Sequence, residues 1–246
     1  MATERSRLSL PAFYALAGGG WRDLVTLLHA PYTAWNLGYV ALGAAAASTV
    51  HSGRLLATLG AFFLAVGVSA HALDELNGRP LQTSLRRGTL IALAAVGLAG
   101  AVAIGVAGAA VVSPVLAPLV VLGALLVLAY NLELAGGRFH TDAWFALAWG
   151  GFPAFTGYFA QTLTIRPAGL LVAAGCCLLS AAQRRLSTPV RELRRRTVAV
   201  SGQQRLSDGT AVELTKARLA APLEGALAAL SFAVVLLAAG LIAGKL

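Results

Sequence analysis

Six residues carry most of the chemistry available to this chain: His71, Asp74, Glu75, Glu133, His140 and Asp142. They fall in two short stretches, AHALDELNGRPL and YNLELAGGRFHTDAW, each at or just beyond the end of a long apolar run. Ionisable groups beside hydrocarbon are costly, so their presence there points to function. His71 and Asp74 are three residues apart, and His71 and Glu75 four apart; on a helix both pairs share a face. Imidazole together with carboxylate suits Zn²⁺, Fe²⁺ or Mn²⁺, whereas oxygen ligands alone suit Mg²⁺. All of these remain open on sequence. The plainer reading pairs Glu75 or Asp142 with Arg79 or Arg138 at headgroup level and leaves His140 as an interfacial loop residue.

The elements that must position these groups are membrane-spanning helices. Of 246 residues, 58% are hydrophobic and 12% charged, with a mean hydropathy of +0.75. Several apolar runs approach the ~20 residues needed to cross a bilayer. Seven spans are expected, near 33–50, 55–76, 88–108, 111–132, 143–162, 166–185 and 221–243. Residues 1–30 then form an N-terminal cytoplasmic or interfacial segment, in which 21–30 is amphipathic and stops at Pro31. Residues 31–246 form the transmembrane helical domain. The N-terminus lacks a clean apolar core with a cleavage site, so no cleaved signal peptide is expected. Cys176 and Cys177 are adjacent in an apolar run and read as small packing residues.

Basic residues set the orientation. With the N-terminus cytoplasmic and the C-terminus outside, sixteen of the nineteen Lys and Arg side chains lie on the cytoplasmic side, and Arg54, Arg166 and Lys245 lie outside. The expected location is a cell membrane, crossed several times. The formal charge of +9 is then topogenic, with anionic lipid headgroups as a further partner, and requires no nucleic acid. Nine of the basic residues fall within 183–218, read as a cytoplasmic loop. There Gln183-Arg184-Arg185 is followed by Arg191, Arg194, Arg195 and Arg196. Guanidinium groups grip phosphate through paired N–H donors, so this cluster is suited to a diphosphate, or simply to anchoring. Thr197–Val200 and Thr210–Leu214 alternate around Asp208-Gly209 and suggest a small β-hairpin. Because the second, fourth and sixth spans end on one side, their polar groups are able to converge.

Three stretches resemble the UbiA superfamily of intramembrane prenyltransferases: HAPYTAWNLGYVALGAA, AHALDELNGRPL and YNLELAGGRFHTDAWFALAWGGFPAFTGYF. The likeness covers roughly residues 25 to 196. Asp74 falls at the second aspartate of that family's Asn-Asp-x-x-Asp motif, followed by Arg79-Pro80-Leu81. The resemblance implies an all-α bundle that transfers an isoprenoid from a prenyl diphosphate to a lipid-soluble acceptor, with Mg²⁺ held by aspartates against the diphosphate. On that reading Asp74 and Glu75 are metal ligands, and Arg79 and the arginines after the sixth span contact phosphate. The chain departs from the pattern at Ala70-His71, at Leu134 in place of a lysine, and at Gln183-Arg184-Arg185 in place of a second aspartate motif.

The candidate site is therefore Asp74, Glu75 and Glu133 as catalytic groups. Arg79, Tyr130, Asn131, Arg138, Gln183, Arg184 and Arg191 are the substrate-binding groups. The six acid and imidazole residues are the ligands of a divalent metal: Mg²⁺ in a prenyltransferase, or Zn²⁺, Fe²⁺ or Mn²⁺ in a metal-dependent membrane enzyme of another class. A third reading is a non-catalytic lipid-binding protein on the same fold.

Overall fold

A computed structural model describes residues 10–246; Arg5 and Arg7 lie outside the described residues. The elements in chain order are α1 (Trp21–Leu27), α2 (Ala30–Ala45), α3 (Ser52–Leu76), α4 (Arg87–Val111) and α5 (Pro114–Asn131). They are followed by α6 (residues 142–162), α7 (Pro167–Arg195), a hairpin of β1 (Gln203–Arg205) and β2 (Ala211–Glu213), and α8 (Lys216–Ala243). Apart from the hairpin, the regular elements among the described residues are all helices.

Five helices, α3, α4, α5, α7 and α8, are long and apolar enough to cross a membrane. The other two expected spans are helices of a different kind. At 16 residues α2 rises only ~24 Å, short of a ~30 Å hydrocarbon core. The run 142–162 is diluted by Asp142, Thr156, Gln161 and Thr162. Both are enclosed by the rest: α2 lies against α3, α6 and α8, and α6 lies against α2, α3 and α7. Backbone touches backbone where they cross, since a Cβ at Gly43 would sit 1.8 Å from the Ala154 carbonyl and one at Gly157 2.1 Å from that of Val40. Small residues permit such an approach. The two expected spans too short or too diluted by polar residues to stand among those five are the ones enclosed by other helices.

Two helices contain π-helical stretches, Phe63–Ala70 in α3 and Leu147–Gly151 in α6. A π turn shifts the hydrogen-bond register and leaves a carbonyl open to a side chain. Gly67 and Trp149 lie in these stretches, and their carbonyls accept from His71 Nδ1 at 3.2 Å and Asn36 Nδ2 at 2.8 Å.

Two sequence expectations are corrected. The sixth helix does not stop near residue 185 but runs to Arg195, through Pro189. Arg184, Arg185, Arg191, Arg194 and Arg195 are thus fixed on a helix, and the connection expected over 183–218 shrinks to residues 196–215 around the hairpin. Leu and Arg favour helix, and Arg194 is drawn onto Glu224 of α8 by a paired contact (Nη2–Oε2 2.9 Å). The hairpin exists, but its first strand is Gln203–Arg205 rather than Thr197–Val200. Gln203 pairs with Glu213 and Arg205 with Ala211, which closes a short loop at Asp208-Gly209, where Gly209 takes φ 87°. Strands starting at 197 would have required a much longer loop before 210.

The amphipathic α1 turns Asp23, Thr26 and Leu27 inward and Trp21, Leu24 and Val25 outward. Asp23 accepts from the Ser84 hydroxyl and, at 3.1 Å, from the Ser84 amide, which ties α1 to the loop before α4. The serine hydroxyl, against an opposing burial effect, holds the Asp23 carboxyl below its usual range. A group depressed in this way stabilises the fold fully above its unfolded pKa of ~3.9 and loses that contribution as pH falls through the lower folded value. The melting temperature of the solubilised protein is expected to fall more steeply below about pH 4 in wild type than in Ser84→Ala. Parallel profiles would show that the contact stabilises nothing.

Candidate functional site

A cavity of about 470 Å³ opens at the end of the bundle where α3, α5 and α7 finish. His71 and Asp74 reach it from α3, Tyr130 and Asn131 from α5, and His140 from the following loop. Gln183, Arg184, Arg191 and Arg195 come from the extended α7, with Arg196 just beyond it. Of the thirteen distinct candidates, eight line this cavity: His71, Asp74, Tyr130, Asn131, His140, Gln183, Arg184 and Arg191.

The other five serve elsewhere. Glu75 is fully buried (0% exposed), and its carboxylate accepts from Leu81 N (2.9 Å), Thr83 N (2.8 Å) and Thr83 Oγ1 (2.9 Å). It organises the loop after α3 and has turned away from the cavity. Successive helical residues are ~100° apart, so Asp74 and Glu75 cannot face the same way. Arg79 braces that loop by donating to the Thr83 carbonyl at 2.8 Å, with its own φ at +50°. Glu133 is exposed, in left-handed conformation, and accepts from Asn77 Nδ2 at 3.2 Å. Arg138 is exposed outside the lining. Asp142 starts α6 and pairs with Arg184 Nε at 2.8 Å; neither acid takes the Arg79 or Arg138 partner expected from sequence. The Arg184 guanidinium lies 5.2 Å from the Phe145 ring centroid.

Two of the three histidines lining the cavity, His71 and His140, are oriented by a hydrogen bond. A carbonyl only accepts, so His71 donates from Nδ1 to Gly67 and His140 donates from Nδ1 to Tyr130, at 3.1 Å. His140 also stacks on the Tyr130 ring, with centroids 4.4 Å apart. His71 stacks on His29 at 4.0 Å and 23°. His29, at the α1–α2 corner, is held in left-handed backbone (φ 45°, ψ 48°), a strained state for a non-glycine residue. Burial, together with His71 and the arginines on α7, lowers the pKa of the His29 imidazole well below its ordinary range, so the ring is neutral at pH 7.

Several lining residues escaped the sequence reading. Tyr14 and its neighbours Pro11 to Phe13 form a strap across the cavity, fastened where Arg195 Nε donates to the Pro11 carbonyl at 3.2 Å and Arg194 Nη1 to that of Leu10 at 3.1 Å. Burial raises the Tyr14 phenol pKa, with Tyr32 adding to the effect. Tyr32, Asn36 and Tyr39 line the cavity from α2. Their spacing of four and then three is one helical face, and that periodicity was the available signal.

The carboxylates in the lining are Asp74 and Glu192. Among the described residues no three His, Cys, Asp or Glu side chains are placed to hold a metal ion together. Magnesium bridging a diphosphate is bound through carboxylates, and zinc, iron and manganese sites need several converging ligands. The donor set here fits neither the aspartate–Mg²⁺ arrangement that the resemblance implies nor a six-residue His/carboxylate site. The cavity instead holds four guanidiniums and two carboxylates in its lining, a balance suited to an anion.

A second cavity of about 580 Å³, almost wholly apolar, lies between α3, α4, α5 and α6. Val66 and Trp149 line both cavities, and each belongs to a π-helical stretch. The wall between the polar and apolar chambers is thus built where two helices depart from regular geometry. Comparison of the chain with protein-family models, with curated proteins and with solved structures finds no match.

Proposed function

We propose that this protein is a multi-pass membrane enzyme that transfers an isoprenoid from a prenyl diphosphate to a lipid-soluble acceptor. In this reading α2 and α6, whose lengths are set by the helices around them and not by lipid, complete seven spans, and the polar cavity faces the cytoplasm of a cell membrane, as the basic residues favour. The observation that carries the proposal is the pairing of chambers. Arg184, Arg191, Arg195 and Arg196 line one cavity, and an apolar cavity adjoins it across Val66 and Trp149. An amphiphile with an anionic head and a long hydrocarbon tail matches both, and each volume lies in the ordinary ligand range of ~300–1,000 Å³.

The arginines would grip the diphosphate and stabilise it as the C1–O bond breaks and the diphosphate leaves with the electron pair. The rings of Tyr14, Tyr32, Tyr130 and Trp149 offer π faces to the allylic cation left behind. The acceptor nucleophile then bonds to C1 and loses its proton. His71, His140 and Asp74 supply proton-accepting atoms in the same lining.

A second reading, lipid binding without transfer, draws on the absence of a metal-holding group among the described residues. Incubating the purified protein in bilayers with farnesyl or geranylgeranyl diphosphate and a panel of acceptors separates the two. Transfer predicts diphosphate release that depends on acceptor. Binding with no release for any chain length or acceptor would leave the lipid-binding reading standing.

A further inference from the structure

Three residues lining the polar cavity carry a buried polar atom with no partner, Asn36 at Oδ1 and Tyr39 and Tyr130 at their hydroxyls, and two of them, Asn36 and Tyr130, share a neighbour in Trp149. Asn36 is 5% exposed and Tyr130 6% exposed. The Asn36 amide has only one orientation open to it. Its Nδ2 donates to the Trp149 carbonyl at 2.8 Å, which the π-helical stretch Leu147–Gly151 makes available. Its other end, Oδ1, is an acceptor and nothing else. Tyr130 is equally constrained. His140 stacks on one face of its ring at 4.4 Å, and Trp149 meets the ring edge-on at 5.5 Å and 84°. His140 is in turn tied by Nδ1 to the carbonyl of Tyr130 itself. Trp149 thus touches both residues, Asn36 through its carbonyl and Tyr130 through its ring.

Leaving a buried acceptor and a buried hydroxyl unpaired costs free energy. A fold that fixes the orientation of both while leaving both unpaired has the form of a recognition site. The ligand group must donate to Asn36 Oδ1 and pair with the Tyr130 hydroxyl. A fully ionised phosphate or carboxylate has no proton for Asn36, and an ammonium has no lone pair for the tyrosine proton. A neutral hydroxyl meets both needs with one oxygen. The arginines that suit an anion come from α7 and the residue that follows it, whereas Asn36, Tyr130 and Trp149 come from α2, α5 and α6, so charged and neutral recognition have separate supports.

We infer that Asn36 and Tyr130 form a hydroxyl-binding subsite of the polar cavity, held in shape by Trp149 and His140, that takes the O–H of an alcohol or phenol. Its role as the acceptor subsite rests on the transfer reading above; its affinity for a hydroxyl does not. The test uses the full chain in nanodiscs and the equilibrium binding of radiolabelled farnesol and of farnesyl methyl ether, which keeps the oxygen lone pairs but has no proton for Asn36. Wild type is expected to hold the alcohol about tenfold more tightly than the ether. Asn36→Leu is expected to bring the ratio close to unity, whereas Tyr130→Phe, which removes one oxygen and leaves the ring, is expected to weaken binding of both probes alike. Arg191→Gln is expected to weaken binding of inorganic diphosphate and leave the alcohol-to-ether ratio unchanged. Equal binding of the two probes to wild type, no measurable binding of either, an undiminished ratio in folded Asn36→Leu, or undiminished binding of both probes in folded Tyr130→Phe overturns the subsite. Intact diphosphate binding in such a case would leave the arginine site standing, and its loss alone would sink only that site.

Discussion

Glu75→Ala is expected to leave little folded protein in the membrane, whatever ligand is supplied. The substitution strips the partners from three donors at once, Leu81 N, Thr83 N and Thr83 Oγ1. Leu81 and Thr83 are themselves buried. Each donor abandoned away from water costs about 1–3 kcal/mol. The sum, roughly 3 kcal/mol or more, is a large part of the 5–15 kcal/mol typical of a whole domain. Glu75→Gln keeps one acceptor oxygen and is expected to fall between wild type and alanine. Thermal unfolding of the solubilised protein, followed by size-exclusion profile, reads the series directly. If Glu75→Ala melts like wild type and loses only ligand binding, Glu75 belongs to the binding machinery and its structural assignment is wrong.

The second large effect is expected at the arginines. Arg191 and Arg195 lie one helical turn apart on α7 and line the polar cavity. Charge-assisted hydrogen bonds contribute about 1.5–3 kcal/mol each, so Arg191→Gln with Arg195→Gln is expected to weaken binding of a prenyl diphosphate by about 100-fold or more. Arg191→Lys keeps the charge but not the fork of donors and is expected to lose less than Arg191→Gln. Because Arg195 also fastens the strap at Pro11, the melting temperature is measured alongside, so that a loosened strap is not mistaken for a lost phosphate contact. Unchanged affinity in the folded double variant would remove the arginines from the binding account.

The helices were legible because hydrocarbon imposes long apolar runs, and α3, α4, α5, α7 and α8 each showed one. The roles of α2 and α6 were not legible: nothing in their polar and small residues distinguishes an enclosed helix from one that faces lipid, and the structure encloses both, α2 against α3, α6 and α8, and α6 against α2, α3 and α7. Pro189 and the arginines about it read as a loop, because a proline and a run of charges usually end a helix; contact between Arg194 and Glu224 carries α7 onward. The π-helical stretches left no mark in the sequence, since register shifts arise from packing and not from residue type. Their consequence is large, because they open the carbonyls that orient His71 and Asn36 and they carry Val66 and Trp149 into the wall between chambers.

The polar constellation was legible as to place and less so as to partnership. His71, Asp74 and His140 share the cavity. Glu75, Glu133 and Asp142 were grouped with them by proximity in sequence, but each found a nearer partner in a loop amide, an asparagine or an arginine. Direction on the helix decided this: Asp74 and Glu75 are neighbours in sequence that point ~100° apart. His29, Tyr14 and Asn36 were passed over because they are far from the acids along the chain, and only the turn between α1 and α2 brings them back.

The most direct test is photo-cross-linking of the full chain in nanodiscs with a prenyl diphosphate analogue that carries a benzophenone at the far end of its tail. Peptide mapping is expected to place the adducts on the α4 and α5 residues of the apolar chamber, between Leu98 and Val127, and excess inorganic diphosphate is expected to suppress them. Adducts spread over the outward residues of α8, such as Phe232 and Leu236, and indifferent to diphosphate, would contradict the paired-chamber account.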